Sequence, residues 1–136
     1  MAMVLDISSA VVAYIQAAAA ATPDREVCGL VFGTDRAVAA AQACANVAAD
    51  PARRFELDPA ALLAAHRAAR AGGATIVGHY HSHPSGSATP STCDAEAAAA
   101  DGAIWLIVAG GELRAWRATA AGALHGRFDP VRLRTS

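Results

Sequence analysis

Along the chain, apolar residues recur at helical spacing and then in short runs bounded by turn residues, and the two patterns keep alternating. Ser8 or Ser9 caps a helix that carries Val11, Tyr14 and Ile15 through the alanines to Ala21, where Thr22-Pro23-Asp24 stops it. Glu26 to Phe32, EVCGLVF, is an apolar run closed by Gly33-Thr34-Asp35, and small residues from Ala37 to Val47 follow it in a β-hairpin pattern. After Asp50-Pro51, the segment Arg53 to Leu57 predicts a short strand. Asp58-Pro59 then supplies an N-cap and a first-turn proline, and Leu62, Leu63, His66 and Arg70 continue at helical spacing to Gly72-Gly73. Thr75 to His81, TIVGHYH, reads as a buried strand that runs into His83-Pro84 and a loop of Ser, Gly, Thr and Pro. Pro90-Ser91 opens an alanine-rich helix to about Ala100. Ile104 to Val108 is a second buried strand, Gly110-Gly111 is a two-residue turn into Leu113 to Trp116, and Leu124 to Leu133 predicts an edge strand.

Interleaved helices and strands with two hairpins place the chain in the α/β class, as a single domain over residues 1–136 with a mixed β-sheet flanked by helices. Its 136 residues show neither an internal repeat nor a linker. Eleven basic residues, all arginine, against twelve acidic ones give a net charge of -1, which offers no basic field for nucleic acid and no polybasic patch for a membrane surface. The hydrophobic share of 54% is mostly alanine, and Gln16, His66 and Arg53-Arg54 interrupt the apolar runs before any reaches the roughly 18 residues of a spanning helix. Asp6 is the only charge before Asp24, so the basic start of an export signal is missing. Cys28, Cys44 and Cys93 are odd in number and lack C-x-x-C spacing, against a disulfide framework and against a thiolate zinc site. A reducing cytoplasm is the expected location.

Chemistry concentrates in Gly78-His79-Tyr80-His81-Ser82-His83-Pro84 and in Pro90-Ser91-Thr92-Cys93-Asp94. Alternate residues of a strand share one face roughly 6.5 to 7 Å apart, so two neighbouring imidazoles converge on one ion with Zn–N bonds of about 2.0 to 2.1 Å. His79 and His83, roughly 13 Å apart in an extended strand, do not. The pair is His79/His81 or His81/His83, and Pro84 favours the second because a strand end keeps a coordination position open. Asp94 supplies a third ligand from the first turn of the following helix. The same residue also completes a capping-box pattern with Ser91, in which the carboxylate serves the helix N-terminus; beside H-x-H the ligand reading takes precedence. A Cys/His peptidase built on Cys93 and His81 leaves His83 and Asp94 without a role, and the H-x-E and P-C-x-x-C signature of zinc deaminases is absent. His79 reads as a packing histidine, His66 and His125 as partly exposed residues, and Trp105, Trp116 and Phe128 as packing.

H-x-H-P, followed by S-x-x-D with ten residues between His83 and Asp94, and preceded by Glu26 in EVCGLVFG, resembles the JAMM/MPN+ zinc metallopeptidases of the Mov34/PAD-1 superfamily, most of all their small stand-alone prokaryotic members. Asn46 near the end of its hairpin strand, the F-x-L-D-P helix entry, the G-x-YHSHP strand and the LIV strand follow the family's order, so the resemblance spans essentially the whole chain. It implies the JAMM/MPN-like, cytidine-deaminase-like architecture. It also implies one zinc ion per chain on His81, His83 and Asp94, Glu26 as general base, and Ser91 as the hydroxyl that holds the developing oxyanion.

The activity implied is hydrolysis of a peptide or isopeptide bond by zinc-activated water. Small prokaryotic members resemble enzymes acting on ubiquitin-like sulfur-carrier proteins, whose extended Gly-Gly tail suits addition to an exposed sheet edge. Alternatives are a deubiquitinase-like isopeptidase on other ubiquitin-like conjugates, for which the chain is short of the usual insertions, a peptidase on an unrelated short peptide, and a non-catalytic MPN-type scaffold. Nucleic acid and membrane are not expected partners.

Overall fold

The computed structural model describes residues 3–136. Its elements are β1 (Val4–Ile7), α1 (Ser9–Ala21), β2 (Cys28–Thr34), β3 (Ala37–Cys44), α2 (Pro59–Arg70), β4 (Ile76–Ser82), α3 (Thr92–Ala97), β5 (Ile104–Ala109), β6 (Glu112–Gly122) and β7 (Gly126–Thr135). The strands form a mixed sheet in the order β1-β3-β2-β4-β5-β6-β7, and β1 pairs with β7 to close it. β4 and β5 run parallel and are joined through α3, while β2 lies antiparallel to β4 on its other side.

Every strand contributes to one apolar cluster inside this ring, through Leu5, Ile7, Val31, Val38, Tyr80, Leu106, Ala115 and Val131 among others, and α1 adds Val11 and Ile15. Each such side chain fully withdrawn from water contributes about 1.5–3 kcal/mol. Strand alternation then sends the neighbours of Tyr80 outward: His79 and His81 share the outer face with their antiparallel partners Leu30 and Cys28. α2 covers one part of that face through Leu62 and Ala65, joined by Leu57 just ahead of the helix, against Leu30 and Phe32, and Trp105, Ile107, Trp116 and Phe128 build another cluster. Gly78 lets β4 and β5 approach closely, because a Cβ there would overlap the Ile104 carbonyl.

The caps explain the helices. Ser8 accepts a hydrogen bond from the Val11 amide at 3.2 Å, and Asp58 accepts one from the Ala60 amide at 3.0 Å ahead of Pro59. Gly110 and Gly111, with φ of 56° and 81°, make the expected two-residue turn.

Four expectations need correction. Arg53 to Leu57 is not a strand: the Arg53 and Arg54 amides both donate to the Asp50 carbonyl in a turn, and only one bridge, Asn46 to Leu57, forms. The C-terminal strand is not an edge, since β1, which the short VLDI segment did not announce, pairs with it. The third helix ends at Ala97, because Asp101 caps the Ala103 amide at 3.0 Å and Gly102 at φ 76° turns the chain into β5. Closure also limits the exposed edge: among the described residues, β1 pairs only with Ala37 and Val38 of β3, so Ala39 to Cys44 is the stretch of β3 left unpaired on its outer side.

Candidate metal centre

The register of β2 on β4 brings the first two groups together. Cys28 pairs with His81, and the ladder continues past the strand ends, with the Val27 amide donating to Ser82 Oγ at 2.8 Å and the Ser82 amide donating to the Val27 carbonyl at 3.0 Å. The same antiparallel register sets Glu26 opposite His83. Glu26 is further fixed through its backbone, whose amide donates to the Pro51 carbonyl at 2.8 Å and whose carbonyl accepts from Asn46 Nδ2 at 2.9 Å.

The loop after β4 returns α3 to this end of the sheet. Ser91 caps the helix: its Oγ accepts from the Asp94 amide at 3.0 Å, while Asp94 Oδ2 accepts from the Ser91 amide at 2.9 Å. The capping box anticipated for Ser91 and Asp94 is therefore formed, and it aims the carboxylate at the two imidazoles. His83 Nε2 lies 3.1 Å from Asp94 Oδ2, His81 Nε2 lies 3.3 Å from Oδ1 and 3.4 Å from Oδ2, and the two Nε2 atoms are 3.2 Å apart. His81 is 0% exposed, Asp94 5% and Glu26 6%. A carboxylate oxygen of Glu26 and one nitrogen each of His81 and His83 lie within 4.8 Å of one another.

This donor set fits a cation. His83 Nδ1 faces the Ser87 carbonyl at 2.8 Å, so in the neutral ring Nε2 carries a lone pair, directed at a carboxylate oxygen that is also an acceptor. With both rings neutral, lone-pair atoms crowd together with too few protons among them. Two ligand atoms bound at 2.0–2.2 Å to one tetrahedral ion stand about 3.4 Å apart, close to the separations seen among His81, His83 and Asp94. Glu26 Oε1 and His81 Nδ1 are buried with no protein partner among the described residues.

The electrostatics point the same way. Burial raises the Asp94 carboxyl, but hydrogen bonds from His81 and His83 outweigh it and hold the group far below the usual carboxylate range. Burial lowers His81. For His83, burial also disfavours the charge, yet its bonds to Asp94 and Ser87 prevail and raise it. Burial pushes the Glu26 carboxyl up to about 7, with the His83 charge opposing and Asp94 adding to the rise. The cluster thus favours positive charge between His83 and Asp94 and leaves Glu26 able to exchange a proton near neutrality.

His79 stays outside the cluster, packed at 4.2 Å from the Trp105 ring, with burial pushing it down to about 3. Cys93 follows Thr92 in α3 as a free thiol, and His66 is exposed. Three contributions lay beyond the sequence reading. Ser82 holds the segment leading from Glu26, Phe55 stacks on His81 at 4.2 Å between centroids, and His125, at φ 55°, contacts the Pro90 carbonyl at 3.1 Å. Trp116 packs as expected and also donates from Nε1 to the Ala88 carbonyl at 3.0 Å. The F-x-L-D-P segment marked Phe55 only as a helix entry, and nothing in the sequence marked the other roles.

Comparisons place these features among known proteins. Residues 8–119 match the family model described as prokaryotic homologs of the JAB domain. A desampylase from Haloferax volcanii is 36% identical over 109 residues, which cover 79% of this chain and 78% of the relative. The solution structure of a protein from Desulfitobacterium hafniense superposes with a TM-score of 0.79 at 24% identity, covering 98% of this chain and 93% of that one. The crystal structure of a JAB1/MPN domain protein from Archaeoglobus fulgidus shares the fold with a TM-score of 0.60 at 18% identity, covering 96% of this chain and 97% of that one.

Proposed function

The chain belongs to the prokaryotic homologs of the JAB domain, and from that membership we propose that it is a zinc-dependent isopeptidase that cleaves after the Gly-Gly tail of a ubiquitin-like sulfur-carrier protein. It is a hydrolase of the JAMM type. Its desampylase relative supports an isopeptidase acting on a ubiquitin-like modifier, and the sulfur carrier is the narrower substrate put forward here. Residues 1–136 act as one domain, in a reducing cytoplasm where Cys28, Cys44 and Cys93 remain thiols.

The observation that carries this reading is the mutual approach of His81 Nε2, His83 Nε2 and the Asp94 carboxylate, within 3.1–3.4 Å of one another. These three residues would hold one zinc ion, and Ser87 and Ser91 keep His83 and Asp94 oriented toward its place. Zinc bound there would supply Lewis-acid chemistry, lowering the pKa of water toward about 7 and polarising the scissile carbonyl. Glu26, raised to about 7 by burial, takes the proton from the attacking water and returns it to the departing amine. Ser91 Oγ accepts from the Asp94 amide, which leaves its hydroxyl proton free to donate to the oxyanion that develops on the carbonyl.

Intact-mass spectrometry tests the reading. Zinc-loaded protein is incubated with a Gly-Gly sulfur carrier joined through its tail to a lysine side chain, and separately with the same carrier bearing a linear extension. Release of the carrier ending at the second glycine supports the proposal. Stoichiometric zinc with neither substrate cleaved would overturn the substrate assignment.

A further inference from the structure

The two imidazoles of the metal centre are held by different means. His83 is fixed at its outer nitrogen by the Ser87 carbonyl. The loop bearing that carbonyl is itself pinned by Trp116 at Ala88 and by His125 at Pro90. His81 is fully buried, and its Nδ1 has no protein partner among the described residues. Histidines that bind metals ordinarily donate from the second nitrogen to a fixed acceptor, which sets both tautomer and ring orientation. Without that bond, rotation about the Cβ–Cγ bond would swing Nε2 away from Asp94 and His83.

A flat apolar wall blocks this rotation. The Phe55 ring stacks on the His81 ring with centroids 4.2 Å apart and planes 18° from parallel. Phe55 is backed in turn by His79 at 4.9 Å and by Trp105 at 6.0 Å, and Trp105 rests on Phe128 at 4.9 Å. Its backbone is bracketed as well. Asn46 donates from Nδ2 to the Arg54 carbonyl at 3.0 Å and accepts at Oδ1 from the Glu56 amide at 3.1 Å, so one side chain grips the chain on both sides of residue 55. The same Asn46 holds the Glu26 carbonyl.

We propose that Phe55 is a positioning residue for the metal centre, whose stacked ring fixes the His81 imidazole in place of the hydrogen bond that His81 Nδ1 lacks. The inference rests on the reading of His81 as a zinc ligand. Phe55 itself touches neither zinc nor substrate in this role; it acts through His81.

The test compares wild type, Phe55→Leu and Phe55→Tyr by zinc competition against a chromophoric chelator and by the visible absorption of the Co2+-substituted proteins, with circular dichroism to establish folding. Phe55→Leu is expected to release zinc about tenfold more readily and to change the Co2+ spectrum, because His81 no longer holds one orientation. Phe55→Tyr, which keeps the ring, is expected to match wild type in both. Should Phe55→Leu fail to fold, Phe55→Met, whose unbranched chain adapts to the space without a ring, is read in the same way. A folded ringless variant with wild-type zinc competition and an unchanged Co2+ spectrum would overturn the inference alone. A wild-type chain that takes up no zinc would overturn the metal-centre reading beneath it.

Discussion

The Ser87 carbonyl oxygen lies 2.8 Å from Nδ1 of His83, and this contact decides which side of the imidazole is open to chemistry. In the neutral ring, with the Nδ1 proton engaged there, the Nε2 lone pair faces Asp94 Oδ2 at 3.1 Å, and a proton or a metal cation between them relieves the contact. On the zinc-ligand reading, His83→Ala or Asp94→Ala is expected to lower zinc affinity by more than about 100-fold, whereas Glu26→Gln is expected to keep one zinc per chain. Elemental analysis after dialysis against a weak chelator checks both outcomes.

Glu26 makes stability depend on pH in the metal-free protein. Burial lifts its carboxyl from an ordinary 4.5 to about 7, so between these values the folded chain keeps a proton that the unfolded chain has released. Folding stability contributed by this group falls as pH rises from about 4.5 to 7. Glu26→Gln removes the loss. Metal-free Glu26→Gln should melt higher than wild type at pH 8, and the gap should close by pH 4.5; parallel melting curves across that range would show the Glu26 carboxyl to be unshifted.

Asn46 ties Glu26 to the segment over His81. Its side chain donates to the carbonyls of Glu26 and Arg54 and accepts from the amides of Ala48 and Glu56. Asn46→Ala leaves backbone groups unpaired and costs about 1–3 kcal/mol, measurable by urea denaturation. Because the Glu26 carbonyl loses its partner and the segment bearing Phe55 loses its grip, turnover should fall and zinc should be released more readily.

Much of this arrangement was legible in the sequence, and the reasons are local. Helix α2 is written in Asp58-Pro59 and in its apolar spacing, and the turn at Gly110-Gly111 in two residues able to take positive φ. The approach of His81, His83 and Asp94 followed from strand alternation and from a helix that starts at Ser91. Long-range pairing left weaker traces. β1 has four residues and no turn signal, so its closure of the sheet against β7 was invisible, and with it the interior place of the C-terminal strand. Arg53 to Leu57 carries strand-like residues but is claimed by side-chain bonds from Asn46, which pattern alone does not reveal. The placement of Glu26 opposite His83 depends on the β2–β4 register, and no residue in EVCGLVF announces it.

The most direct measurement is single-turnover hydrolysis of a lysine-linked Gly-Gly sulfur-carrier conjugate by wild type and Glu26→Gln, each carrying one zinc per chain by elemental analysis. The account predicts equal zinc content and a rate lower in the variant by about 10²–10⁴-fold. Equal rates in the two proteins, or no hydrolysis by the zinc-loaded wild type, would contradict it.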